Sequence, residues 1–187
     1  MLQRFYPTAY YQSAYDIDYQ ALYDNGCRGI IYDVDNTLVE HDAPVDKRAK
    51  QLFLQLHKMG IQTCILSNNK EERVAPLAKT VQSEYVSKAK KPSPVNYKKA
   101  MKQMHTDMSN TIFVGDQLFT DVWGGNRAGV MTVLVAPIAK HEEIQIVLKR
   151  YLERIVMHFY WKKLRKGAVK RPNNRLMQIL CQKAVKK

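Results

Sequence analysis

Short apolar runs separated by amphipathic stretches constrain this chain more than any other feature. "GIIY" starts at Gly29, "IQTCIL" at Ile61, "TIFV" at Thr111 and "MTVLV" at Met131. Each has the length of a buried strand. Between the first two, Ala49, Leu52, Phe53 and Leu56 recur at three and four, and Gly60 stands where a helix from Asp46 to Met59 would end. A polar helical stretch follows Asn69 through Thr80, "PVNYKKAMKQM" reads as a helix opened by Pro94, and Asp121 to Ala128 as one closed by Gly129. Strand and helix alternate. This predicts an α/β fold of three layers, a Rossmann-like parallel sheet with helices on both faces and its chemistry at the carboxyl ends of the strands. Asp33 and Asp35, Ser67 and Asp116 all follow apolar runs at such ends.

Composition narrows the class further. With 187 residues, 45% of them hydrophobic, the chain can bury a real core. Its formal charge of +13 is unevenly spread: thirteen basic residues face three acidic ones from His141 to Lys187, so that stretch carries +10. Two parts are expected, a catalytic domain over residues 1–140 that includes the N-terminal aromatic segment, and a basic amphipathic helical extension over 141–187. In the extension Ile144, Val147, Leu148, Tyr151, Leu152, Ile155 and Phe159 follow helical spacing, with Gln145, Lys149 and Glu153 opposite. Cys27, Cys64 and Cys181 form no CxxC pair, which points to a reducing cytosol without disulfides or a zinc site. No apolar run approaches the roughly 20 residues that span a bilayer.

The segment "DVDNT" sets two carboxylates one residue apart directly after an apolar run. As a calcium loop it would need Gly at its sixth position and Glu at its twelfth, where Leu38 and Pro44 stand. A lone pair of this kind ordinarily shapes a turn. The remaining reading is phosphoryl transfer, in which one carboxylate attacks phosphorus and the second manages the leaving group's proton.

Companion segments favour that third reading. "DVDNT" resembles the first motif of the haloacid dehalogenase superfamily, the aspartate-nucleophile phosphatases. Ser67 in "CILSNN", Lys91 in "AKKPSP" and the acids of "FVGDQLFTD" match its second, third and fourth motifs in order. The resemblance implies Asp33 as nucleophile, Asp35 as general acid and base, and Ser67 and Lys91 as holders of the phosphoryl oxygens. It also implies a Mg²⁺ site built from Asp33, the backbone carbonyl of Asp35 and Asp116. Asp121 is divided evenly between support of that site and a helix cap, and Ser67 is equally suited to capping the following helix. Lys90 competes with Lys91, which the proline directly after it favours. Asn68, Asn69 and Thr37 are expected beside the substrate, with Thr37 also shaping the loop. The five histidines show no ligand spacing.

Only 29 residues separate Thr37 from Ser67 and 23 separate Ser67 from Lys91, too few for the cap domains that this superfamily inserts there. No large cap domain is expected, and an uncapped site favours a large substrate. The longer stretch "YPTAYYQSAYDIDYQALYDNGCRGIIYDVDNTLV", with "SNN", "KKPSP" and "VGDQLFTD", is similar to the YqeG-type subfamily, related to phosphatidylglycerophosphate phosphatases. That implies conversion of phosphatidylglycerophosphate to phosphatidylglycerol, an anionic phospholipid substrate, by a cytoplasmic enzyme with peripheral contact at the inner face of the cell membrane. The cations and the Phe159, Tyr160 and Trp161 rings of the extension suit such a surface. Two alternatives stand beside this reading. One is a soluble phosphatase for sugar phosphates, nucleotides or phosphoproteins; the other is a basic module that binds RNA or the ribosome without catalysis. Nucleic acid is the less favoured partner, because a binding module has no need of the acids and lysine around Asp33.

Overall fold

The computed structural model describes residues 2–139, 144–169 and 174–182, the side chains of 144–147 excepted. The expected boundary between Lys140 and His141 and the side chains of Ile144, Gln145 and Val147 lie outside the described residues. In chain order the elements are β1 (Ala9–Tyr11), α1 (Tyr19–Asp24), β2 (Gly29–Tyr32), α2 (Lys47–Lys58), β3 (Gln62–Leu66), α3 (Glu71–Val81), β4 (Glu84–Val86), α4 (Val95–Gln103), β5 (Thr111–Gly115), α5 (Trp123–Ala128), β6 (Met131–Val135), α6 (Ile144–Arg165) and α7 (Arg175–Gln182).

All six strands form one parallel sheet in the order β1-β6-β5-β2-β3-β4. From the central β2 the chain winds outward through β3 and β4, then crosses to β5 and β6 on the other side. The switch point therefore lies between β2 and β5, where sheets of this kind open a crevice. Alternation along β2 explains the layers. Ile30 and Tyr32 join the core under α2 and α3, while Ile31 faces Tyr97, Ala100 and Met101 of α4.

The Rossmann-like architecture is as expected. Two edge strands, β1 and β4, are additional: each is only three residues long, too short for an apolar run to stand out in the sequence, and β4 is in addition partly exposed. The helix expected from Asp46 starts where the Asp46 carboxylate accepts the Ala49 N–H at 2.7 Å. No cap domain interrupts the chain, since Thr37 to Ser67 holds only α2 and β3, and Ser67 to Lys91 only α3 and β4.

The C-terminal helices pack on this core. Val156 and Tyr160 of α6 join Tyr6, Leu118, Val122 and Leu134 in an apolar cluster, and Leu176, Met177 and Leu180 of α7 enter the core beside α1. The apolar stripe that the spacing suggested for the inner side of α6 faces outward, while Lys149 is exposed as its place opposite the stripe implied. Leu148, Tyr151, Leu152, Ile155 and Phe159 are exposed, whereas Glu153, assigned to the polar face, is buried. The reason is a partner: Glu153 accepts the Leu118 N–H at 2.7 Å and the Arg150 Nη1 at 3.0 Å, so a hydrogen-bonded acid outcompetes the apolar stripe for the inner side. Among the aromatic residues of the N-terminal segment, Tyr6, Tyr11 and Tyr19 are buried and Phe5, Tyr10 and Tyr15 partly so. No described helix is long and apolar enough to cross a membrane.

Candidate active site

Asp33 follows β2, and its N–H continues the sheet pairing to the Val114 carbonyl at 2.9 Å. The chain then turns back on itself. Thr37 and Leu38 donate their N–H groups to the Val34 carbonyl, and Asn36 takes a left-handed φ of 62°, a conformation its short polar side chain tolerates. Buried Val34, Leu38 and Val39 anchor this turn to the core. Both carboxylates of "DVDNT" are thereby presented at the rim, but they part company.

Asp33 points inward. Lys91 Nζ donates to its Oδ1 at 2.6 Å and to Asp121 Oδ1 at 2.7 Å, with all three side chains at least nine-tenths buried. Asp35 instead turns along the cleft wall, accepting Asn69 Nδ2 at 2.6 Å and Arg73 Nη2 at 2.9 Å. Ser67 is buried after β3 and accepts the Asn69 N–H at 3.2 Å; the cap of α3 is Lys70, so the Ser67 side chain does not cap that helix. Asn68 braces the lysine, its Oδ1 accepting the Lys91 N–H at 2.7 Å. Thr37 is buried, with Oγ1 3.4 Å from Asp116. Lys90 is exposed, whereas Lys91 is buried.

Asp121 lies in a π-helical turn, Leu118–Val122, that precedes α5. The helix expected from Asp121 therefore begins at Trp123, and Asp121 does not cap it, because its Oδ2 accepts the Gln117 N–H at 3.0 Å. Tyr97 Oη donates to the Thr120 and Asp121 carbonyls from beneath the turn. Such a widened turn frees side chains that a regular helix would space differently. Gly115 permits the approach: a Cβ there would stand 2.6 Å from Asp121 Oδ2.

Oxygens of Asp33, Asp116 and Asp121 lie within 4.8 Å of one another. Burial pushes Asp33 up to about 7, the negative charges of Asp121 and Asp35 adding to the effect against the pull of Lys91. Asp116 is also raised well above the carboxylate range, by burial and then Asp121. Burial acts against the charge on Lys91, but Asp121 and Asp33 more than offset it and its pKa is raised. Hard oxygen donors crowded at this density fit a divalent cation, whose charge would relieve their repulsion. The cleft above them, about 110 Å³, is lined by Asp33, Asp35, Ser67, Asn68, Lys91 and Gln117, among others.

Three contributors left no motif in the sequence. Arg73 sits in the first turn of α3 and grips Asp35. Arg150 of α6 donates to the side chain and the backbone carbonyl of Asp116, and Glu153 pairs with it. The spacing of Arg150 and Glu153 marks them as an i,i+3 pair, but nothing in it signals a reach across 34 residues.

Buried carboxylates gathered around a lysine at the switch point of a parallel sheet suit an α/β hydrolase of phosphate esters. The model of the haloacid dehalogenase-like hydrolase family matches residues 32–129. A probable phosphatase of Bacillus subtilis, YqeG, is 35% identical over 84% of this chain and 92% of its own length. Phosphatidylglycerophosphate phosphatase 1 of Arabidopsis thaliana is 30% identical over 81% of this chain, which spans 46% of that longer protein. Among solved structures, the cobalt-bound deoxy-D-mannose-octulosonate 8-phosphate phosphatase of Haemophilus influenzae shares the fold, with a TM-score of 0.51 and 18% identity over 61% of this chain and 70% of that one. The chain belongs to the haloacid dehalogenase-like hydrolase family, as an enzyme of the phosphatase kind.

Proposed function

We propose that this chain is a Mg²⁺-dependent phosphomonoesterase that removes the terminal phosphate of phosphatidylglycerophosphate. The observation that carries the reaction is the Lys91 ammonium shared between Asp33 and Asp121, which holds Asp33 in place without engaging its second oxygen in any protein hydrogen bond found among the described residues. That oxygen attacks phosphorus in line and forms an aspartyl-phosphate, splitting one hard step into two. The departing alkoxide takes a proton from Asp35, which then removes a proton from the water that hydrolyses the acyl phosphate and releases inorganic phosphate. Arg73 and Asn69 fix Asp35 at the cleft wall for both transfers. Lys91 and the Ser67 hydroxyl face the phosphoryl oxygens as their charge redistributes. Asn68 and Asn69 also border the substrate, while Thr37 supports Asp116 from the turn. Asp33, Asp116 and the Asp35 carbonyl, with Asp121 behind them, would hold Mg²⁺, which when bound would supply Lewis-acid charge against the repulsion between a carboxylate and a phosphate dianion.

The lipid substrate is supported by the likeness to the Arabidopsis phosphatase and by a cleft that no cap domain covers. A phosphate carried on a large headgroup can enter such an opening while its acyl chains stay outside. On this reading the enzyme is cytoplasmic and works against the inner face of the cell membrane.

The test is phosphate release from phosphatidylglycerophosphate in vesicles with Mg²⁺, compared with sugar phosphates and nucleotides. The lipid is expected to be turned over at least tenfold faster by kcat/KM, and Asp33→Asn to abolish activity on every ester. Equal or better turnover of the small esters refutes the lipid assignment and leaves the reaction class intact.

A further inference from the structure

The long helix α6 has two faces of opposite character. Inward, Val156 and Tyr160 pack against Tyr6, Leu118 and Leu134, and Arg150 and Glu153 bond to the chain around Asp116 and Leu118. Outward, Leu148, Tyr151, Leu152, Ile155 and Phe159 are between 42% and 67% exposed. These five occupy positions i, i+3, i+4, i+7 and i+11, which on a helix fall on one stripe. An apolar stripe is normally the buried side of a surface helix, so its exposure here calls for an occupant.

Charge identifies that occupant. Exposed Lys149, Arg154, Lys162, Arg165 and Lys166 flank the stripe, and the helix holds one acid, Glu153, which is buried on the opposite side. The outer face thus combines apolar and aromatic side chains with cations and no described anion. A second copy meeting this face about a twofold axis would bring cations against cations, and a protein partner of mixed surface charge would set part of its own cations against them while offering no continuous apolar layer to the stripe. A bilayer containing anionic lipids meets both demands at once, taking the apolar stripe into its acyl boundary and the cations at its headgroups.

Position makes this face relevant to the chemistry. Leu148, Tyr151 and Leu152 are within two residues of Arg150, whose guanidinium bonds Asp116 at the catalytic end of the sheet. Gln117, next to Asp116, lines the cleft. We propose that the outward stripe of α6 is the docking surface of this enzyme for anionic bilayers, held rigidly beside the cleft by the Arg150 and Glu153 contacts. The proposal deepens the lipid-phosphatase reading by naming the surface that brings the site to its substrate, and it rests on that reading only for its effect on turnover.

The full chain is to be compared with the Leu152→Glu/Ile155→Glu variant, in which both replacements lie on exposed positions outside the catalytic residues. Co-sedimentation uses vesicles of phosphatidylcholine alone and of phosphatidylcholine with one third phosphatidylglycerol. The expected result is binding to the anionic vesicles only, weakened at least tenfold in the variant, with hydrolysis of a small soluble phosphate ester unchanged. Phosphatidylglycerophosphate turnover in vesicles should fall at least tenfold as well. If the variant loses vesicle binding but neither protein hydrolyses the lipid, the docking surface stands and the substrate reading fails. Wild-type protein that ignores anionic vesicles, or a variant that binds them equally well, overturns the proposal. So does sedimentation velocity showing a dimer that the variant disrupts, since a second copy would then cover the stripe. A Lys162→Ala/Arg165→Ala variant is the second probe, expected to bind less tightly and with a weaker salt dependence; retention of full salt-sensitive binding also overturns it.

Discussion

Lys91 and Asp33, 58 residues apart in the chain, meet through a 2.6 Å charged hydrogen bond inside the protein, and the same ammonium holds Asp121 at 2.7 Å. The lysine is the cation that lets two carboxylates be buried together. Its replacement by alanine leaves both acids without that partner. Breaking such a buried set by removing one member costs about 3–5 kcal/mol. Lys91→Ala should therefore lower stability by about that amount in urea titrations without divalent cations, and part of the loss should return on adding Mg²⁺, because a ligand that binds the folded state stabilises it. Phosphatase activity should be lost in either condition. An unchanged unfolding midpoint would contradict the burial argument.

Arg73 touches neither the nucleophile Asp33 nor the phosphate in the proposed scheme and acts by holding the Asp35 carboxyl. A displacement of about 1 Å at a reacting group can cost on the order of 100-fold. Arg73→Ala is accordingly expected to reduce kcat by roughly 10- to 100-fold with little change in KM. Arg73→Lys should recover a part of it. A purely structural role would show itself as an equal fall in folded fraction and activity, with kcat per folded molecule unchanged.

Gly115 ends β5 and lies against the Asp121 carboxylate. An added methyl would lie 2.6 Å from Asp121 Oδ2 and 2.7 Å from the Phe113 ring, both buried. Overpacking of this kind costs typically about 1–3 kcal/mol. Gly115→Ala is expected to cost stability in that range and to reduce activity more than its folded fraction accounts for. Thermal unfolding and steady-state rates on the same preparation separate the two effects.

His57 supplies a pH dependence away from the buried acids around Lys91. It lies at the end of α2, with Nε2 2.9 Å from Thr63 Oγ1, and burial lowers its pKa below the ordinary 6.5. The unfolded chain therefore takes up the proton first as pH falls. The stability this residue contributes is fully present above about pH 6.5 and is lost as pH drops through the lowered folded value. His57→Gln should flatten the decline in Tm over that window while leaving the plateau at pH 8 near its original level. Parallel Tm curves for the two proteins would remove His57 as the cause.

Legibility from sequence followed the length of each signal. β2, β3, β5 and β6 are buried through most of their length, so their apolar runs announce them; β1 and β4 are three-residue edges whose pairing with β6 and β3 supplies what their composition lacks. Asp121 carries two plausible roles as a sequence symbol. Only the π-helical turn, which aims its carboxylate at Lys91 and Gln117 rather than along α5, distinguishes them. Tyr160 read as an aromatic residue of a basic tail is 1% exposed and packs edge-on to Tyr6 at 5.4 Å between ring centroids. Periodicity reports that α6 has an apolar side, but not what competes to cover it.

By itself the chain determined the alternation of strand and helix, the placement of Asp33, Ser67 and Asp116 after strands and the absence of room for a cap. All of these depend on local spacing, which neighbouring residues fix through side-chain periodicity and backbone hydrogen bonding. Tertiary structure decided which lysine is buried, that Arg73 grips Asp35, and that α6 turns Arg150 and Glu153 inward. Those outcomes weigh desolvation of a charge against partners tens of residues away. Such a balance exists only once the sheet has closed and the distances are set.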